Sequence, residues 1–206
     1  STISTTIKLR AIARQQQLLR IDFETQPSHE VLTAKLADFR NKVADADVVV
    51  LSDYGKGGLT HIAEMIRLAR TAGKPVLVDP KGEDYARYRG ATVLTPNRSE
   101  FREVAGSWKN EEELNTKAEH LRNELQLEAL LVTRSEEGMS LYRANEILHE
   151  PTQTREVFDV SGAGDTVIAT LAVMLACGEP WPDAVRIANR AAGIVVGKLG
   201  TAMVTR

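Results

Sequence analysis

The chain has 206 residues, opens on Ser1 rather than Met, and is 43% hydrophobic, 26% charged and 5% aromatic, which excludes disorder, a collagen-like repeat and a disulfide scaffold. With 26 basic against 28 acidic residues the net charge is −2, so no basic excess points to nucleic acid or an anionic membrane as an obligatory partner. One cysteine, Cys177, cannot form an internal bridge, and no basic stretch followed by an apolar one opens the chain; both suit a reducing, cytoplasmic setting.

From the N-terminus, Ile7 to Ile12 alternates apolar with basic or small residues, and Gln16 to Phe23 reads as a second strand after a turn near Arg14, giving an exposed hairpin. Ser28 is placed to cap a helix whose apolar face carries Val31, Leu32, Leu36, Phe39 and Val43. The continuous run Val48 to Leu51 then reads as a strand covered on both faces. A helix with Ile62, Met65, Ile66 and Ala69 on one side stops at Gly73. Short apolar runs follow at Val76 to Val78, Thr92 to Leu94 and Leu130 to Val132, with helices over Ser99 to Val104 and Glu111 to Leu125 between the last two. Strands alternating with helices predict a parallel sheet wrapped on both faces. Gly138 to Tyr142 and Glu146 to Leu148 add an antiparallel hairpin, and helices over about Gly164 to Ala176 and Pro182 to Val196 close the chain. The longest apolar run, Val167 to Gly178, is too short to span a bilayer and is read as a buried helix.

Ligands of parallel sheets sit at the carboxyl ends of strands, which directs attention to the residues just after each apolar run. In Asp159 to Thr166, small residues let a ligand approach the backbone, and the N–H groups opening the next helix form a site for an anion such as phosphate. Asp165, in the first turn, is a carboxylate able to take a proton from an attacking hydroxyl; together these suggest phosphoryl transfer. The same residues also read as a glycine turn with an Asp complementing the helix dipole, and no Gly-Lys-Ser/Thr follows that would make a Walker loop. Asn97 and Glu100 share one face of a helix that Pro96 opens and suit a hydrated Mg²⁺; equally, Thr95 caps and Glu100 complements the dipole. Lys56 and Lys81, in glycine-bearing loops, are point charges for phosphate or solvated surface groups, and Asp53 and Asp79 either bind substrate hydroxyls or stabilise their loops. The Thr133 to Gly138 loop either covers a nucleotide base or merely joins two strands. Charges on the hairpin, among them Arg10, Arg14, Arg20, Asp22 and Glu24, suit a solvated face. The four histidines lack metal-ligand spacing, and Cys177 reads as a core thiol near a helix end.

Taken together, these segments resemble the ribokinase family of carbohydrate and nucleoside kinases, whose second signature is matched by Asp159 to Ala169; Thr170 departs from its usual Ala or Gly at a packing position. The resemblance implies an α/β fold with a mostly parallel sheet flanked by helices on both faces, and a β lid. It implies Asp165 as general base, the amides of Gly162, Ala163 and Gly164 as the anion hole, and Asn97 and Glu100 as the family's Asn-x-x-Glu element acting through water on Mg²⁺. It places Thr133, Ser135, Gly138 and Asn189 near ATP and Arg20 and Asp22 near the sugar, while Lys81 or Lys56 is expected to neutralise charge on ATP or on the sugar phosphate and Asp53 to meet sugar hydroxyls. The segments Gln16 to Asp22, Leu51 to Gly57, Val78 to Gly82, Tyr88 to Thr92 and Val195 to Thr201 are similar to a branch of the family that phosphorylates D-glycero-β-D-manno-heptose 7-phosphate at O1, on the route to the lipopolysaccharide core.

On this basis residues 1–27 are expected to be a partial lid that pairs two subunits, and residues 28–206 the C-terminal major part of a kinase domain. Ser1 is read as a cut inside a longer protein, with the first strands and an adenylyltransferase domain absent, so this chain alone is expected to bind nucleotide weakly and to show little kinase activity. A sugar or nucleoside kinase with another acceptor, and a non-catalytic binding or assembly module, are the competing readings.

Overall fold

A computed structural model describes residues 6–13, 16–153, 159–198 and 202–204. Alternating side chains zip the first two strands, β1 (Ile7–Ala13) and β2 (Gln16–Phe23), into an antiparallel ribbon with Ile7 opposite Phe23 and Leu9 opposite Ile21; the register shifts after Ala11. The turn expected near Arg14 lies outside the described residues. Helix α1 (His29–Lys42) is capped as its sequence predicts, with the Ser28 hydroxyl accepting the Val31 N–H at 3.5 Å.

The main sheet has six strands in the order of the chain: β3 (Val49–Ser52), β4 (Val76–Asp79), β5 (Val93–Leu94), β6 (Ala129–Thr133), β7 (Met139–Arg143) and β8 (Glu146–Glu150). The first four run parallel and the last two are antiparallel, as the sequence predicts. The two-residue period of a strand sorts the apolar residues into two cores. Val76, Val78, Leu94, Leu130 and Val132 face α2 (Ile62–Thr71), Phe101 of α3 (Arg98–Ala105) and α4 (Glu111–Glu124). Their neighbours Leu77, Val93, Ala129 and Leu131 face α5 (Ala163–Ala176) and α6 (Trp181–Val196). Among the described residues no helix is long and apolar enough to cross a membrane.

Three local expectations are corrected. Val50 is 42% exposed, so one face of β3, the edge strand of the described sheet, is covered only in part: Val48 packs against the second core while Val50 is left open. Cys177 is exposed at the C-cap of α5 rather than buried in a core. The cap of α3 is Asn97, not Thr95, which is buried with its hydroxyl on the Val78 carbonyl.

Candidate active site

The carboxyl ends of β3 and β4, the start of α3 and the first turn of α5 converge on one end of the sheet. Asp165 sits in that first turn, where the Tyr54 hydroxyl donates to its Oδ1 at 3.3 Å. Asp53, expected at the substrate, turns inward instead and is 5% exposed. Its Oδ1 accepts the Gly55 N–H at 2.9 Å, its Oδ2 accepts the Tyr88 hydroxyl at 2.9 Å, and the Arg87 guanidinium lies 3.7 Å from Oδ2. A buried carboxylate so supplied with donors is an anchor for its loop. The Tyr88 hydroxyl also accepts the Lys81 N–H at 3.0 Å, tying the loops after β3 and β4 together, and burial pushes this phenol up to about 12.

Asp79 ends β4 with the Ser52 hydroxyl 3.5 Å away. Burial first, then the carboxylates of Glu100 and Asp165, push Asp79 up to about 6. Glu100 is held on both oxygens: Lys81 Nζ donates to Oε1 at 2.9 Å and the Asn97 N–H to Oε2 at 3.0 Å. Asn97 Oδ1 in turn accepts the N–H groups of Ser99 and Glu100, completing a capping box. The Asn97 oxygen is therefore spent on the helix, and the carboxylates that feel one another are Asp79, Glu100 and Asp165. Among the described residues no three His, Cys, Asp or Glu groups are placed to hold a metal by themselves. An all-oxygen set with few protein ligands still fits Mg²⁺ in kind, since that ion keeps several waters and shares phosphate oxygens.

Arg20, Asp22 and Lys56 come together where the β1–β2 ribbon meets the loop after β3. Arg20 forks onto Asp22 at 2.8 and 2.5 Å, which holds that carboxyl down at about 2. Lys56 lies 3.8 Å from Asp22 and pairs with Glu24, an acid the sequence leaves on a solvated face.

At the α5 terminus Gly162 adopts φ +78°, a left-handed turn that favours glycine, and no side chain caps the helix. The Ala163 N–H bonds the Val160 carbonyl at 3.2 Å, so of the expected anion hole Ala163 is engaged in its own turn. Gly164 belongs to the first-turn donors that have no intrahelical acceptor, and a Cβ added there would meet nothing within 4 Å, so the backbone is approachable.

Beside this terminus opens a cavity of about 700 Å³, within the range of small-molecule sites. It gathers Asn97, Thr133, Ser135, Gly138, Ala163, Gly164 and Asn189, seven residues singled out by sequence. Asn189 is buried and donates to the Pro151 carbonyl at 2.8 Å, fixing the wall after β8. The turn after β6 is pinned by buried Arg134, whose guanidinium bonds Glu111, Glu137 and Ser140. Sequence reasoning missed Arg98 and Arg102, which also line the cavity; their i,i+4 spacing on α3 was the available signal. It missed Tyr54 as well, whose contact with Asp165 spans 111 positions and leaves no local trace.

The chain matches the description pfkB family carbohydrate kinase over residues 2–205. It is 57% identical over 201 residues to the D-beta-D-heptose 7-phosphate kinase of Bordetella bronchiseptica, covering 98% of this chain and 64% of that protein. To the bifunctional protein HldE of Methylococcus capsulatus it is 55% identical over 204 residues, covering 98% of this chain and 43% of that protein. The chain thus spans less than two thirds of the length of these curated relatives. Among solved structures it is similar to a ribokinase of Thermotoga maritima, with a TM-score of 0.76, 22% identity and coverage of 98% of this chain and 66% of that one. Arabidopsis thaliana ribokinase complexed with ribose and ATP superposes with a TM-score of 0.73 at 20% identity, over 95% of this chain and 64% of that one. At such identities the likeness is one of fold, and the fold expected from sequence is the one found.

Proposed function

Because this chain belongs to the pfkB family of carbohydrate kinases, we propose that it carries the ATP-binding and phosphoryl-transfer portion of a kinase that phosphorylates D-glycero-β-D-manno-heptose 7-phosphate at O1. The observation that carries the reading is the placement of Asp165 in the first turn of an uncapped helix beside a 700 Å³ cavity, in a chain 57% identical to a protein named D-beta-D-heptose 7-phosphate kinase. Asp165 accepts the proton of the anomeric hydroxyl, whose oxygen forms the new bond to the γ-phosphorus as the bond to the leaving phosphate breaks. The amides of Gly162 and Gly164 receive phosphate oxygens, joined by Ala163 once its turn to Val160 opens. Thr133, Ser135, Gly138 and Asn189 form the nucleotide side of the cavity, with Arg98 and Arg102 at its α3 wall. Glu100, oriented by Asn97, and Asp79 are the residues that would hold Mg²⁺, which would supply neutralisation of phosphate charge. Lys81 balances charge on this carboxylate group, while Arg20, Asp22 and Lys56 meet the sugar phosphate under the ribbon. The β1–β2 ribbon acts as the lid, with residues 1–27 as lid segment and 28–206 as kinase portion, and pairs two subunits. The cytoplasm, where ATP is held, is the proposed compartment.

The test is phosphoryl transfer from ATP to heptose 7-phosphate by the full-length protein. Asp165→Asn is expected to lower turnover by about 10²–10⁴-fold, the scale of a general base, with ATP binding retained in calorimetry. Near-normal turnover would remove Asp165 from that role, and preference for an unphosphorylated sugar would overturn the acceptor.

A further inference from the structure

We propose that Tyr54 is a positioning residue for Asp165, fixing the carboxylate through a hydrogen bond to Oδ1 and leaving Oδ2 to take the acceptor's proton; this rests on the reading of Asp165 as the base. Among the described residues, the Tyr54 hydroxyl is the one polar side-chain contact made by the Asp165 carboxylate. An exposed aspartate with two free torsions samples many orientations, and a single donor across the cleft narrows them. The tyrosine ring is 60% exposed, so packing does not place it. Its backbone does, because the residues on either side are clamped. Asp53 is buried and held by Tyr88, Arg87 and its own N–H on the Asp79 carbonyl at 2.9 Å. Gly55 takes φ +68° with its N–H on Asp53 Oδ1. The phenol is thus presented from the end of β3, on the rigid side of the cleft, to a base at the start of α5. During transfer Tyr54 keeps its proton: the acceptor O–H breaks, its hydrogen joins Oδ2, and the oxygen bonds phosphorus.

In the full-length protein Tyr54→Phe, which keeps the ring and removes the donor, is expected to lower kcat about tenfold while KM for ATP stays within about twofold. Combined with Asp165→Ala it is expected to cost nothing further, because the two residues act as a unit. An unchanged kcat in Tyr54→Phe, or a double variant in which the losses multiply, would overturn the proposal. A second measurement needs no turnover. In the chain labelled with ¹³C at tyrosine Cζ, the resonance that Tyr54→Phe deletes is expected to move in Asp165→Ala. A resonance unmoved by Asp165→Ala overturns the bond itself. Full-speed turnover by Asp165→Ala would instead sink the base assignment, a result separable from both.

Discussion

Asp79 keeps a carboxyl where its charge is disfavoured, pushed up to about 6 from an ordinary 3.8 by burial and by Glu100 and Asp165. Between these values the folded protein holds a proton that the unfolded chain has released, so stability falls as pH rises from about 4 through about 6. Asp79→Asn, which keeps the shape and removes the charge, is therefore expected to stabilise the fold at pH 7 by roughly 2 kcal/mol and to have no effect near pH 4. Urea melts at the two pH values check this, and a gain equal at both would contradict it. At this scale sequence reading pointed to candidate residues by position, at strand ends and helix starts, since those positions follow from the apolar pattern. It could not decide between competing roles for one residue. The sequence leaves Asp53 as substrate ligand or loop support and Asn97 as Mg²⁺ ligand; in three dimensions Asp53 is buried with donors on both carboxylate oxygens, whereas Asn97 is exposed and gives its side-chain oxygen to the cap of α3.

Helix boundaries were legible because caps and glycine stops are local chemistry: Ser28 begins α1, and Gly73 at φ +69° follows α2. Which strand lies at a sheet edge is not local, and the apolar run of β3 carries no sign that Val50 faces solvent. For α3, the reciprocal bonds of Asn97 and Glu100 satisfy donors that would otherwise be orphaned. Asn97→Ala is expected to cost about 1 kcal/mol in thermal or urea unfolding. In the turn after β6, Gly138 has φ +90°, and a Cβ there would overlap the Glu150 carbonyl and lie 2.7 Å from the Thr152 nitrogen. Gly138→Ala should cost more than ~2 kcal/mol and weaken nucleotide binding by calorimetry, because neither backbone strand can yield cheaply. A variant that melts and binds like the parent would show that the turn is more pliable than its contacts imply.

Across the whole molecule the β1–β2 ribbon stands out as an apolar sheet face left open among the described residues. Ile7 and Phe23, then Leu9 and Ile21, pair across the strands, and all four are more than a third exposed. Water is a poor partner for such a face, which is what the proposed pairing of two ribbons would relieve. If two ribbons pair as proposed, Phe23→Glu is expected to turn a dimer into a monomer in sedimentation of the full-length protein, and the same mass before and after the change would overturn that pairing. The strict spatial order of the main sheet has another consequence. A ribosome releases β3 through β7 and α2 through α4 before α5, which assembles the residues of one core while Leu77, Val93, Ala129 and Leu131 remain bare on the reverse face. Their cover, α5 and α6, emerges only with residues 163–196, some seconds later at the roughly 5–20 residues per second of synthesis. Because the same two helices carry the Asp165 turn and one wall of the cavity, a nascent chain has neither until its second core closes, and a chain stopped before residue 163 would leave that face of the sheet bare.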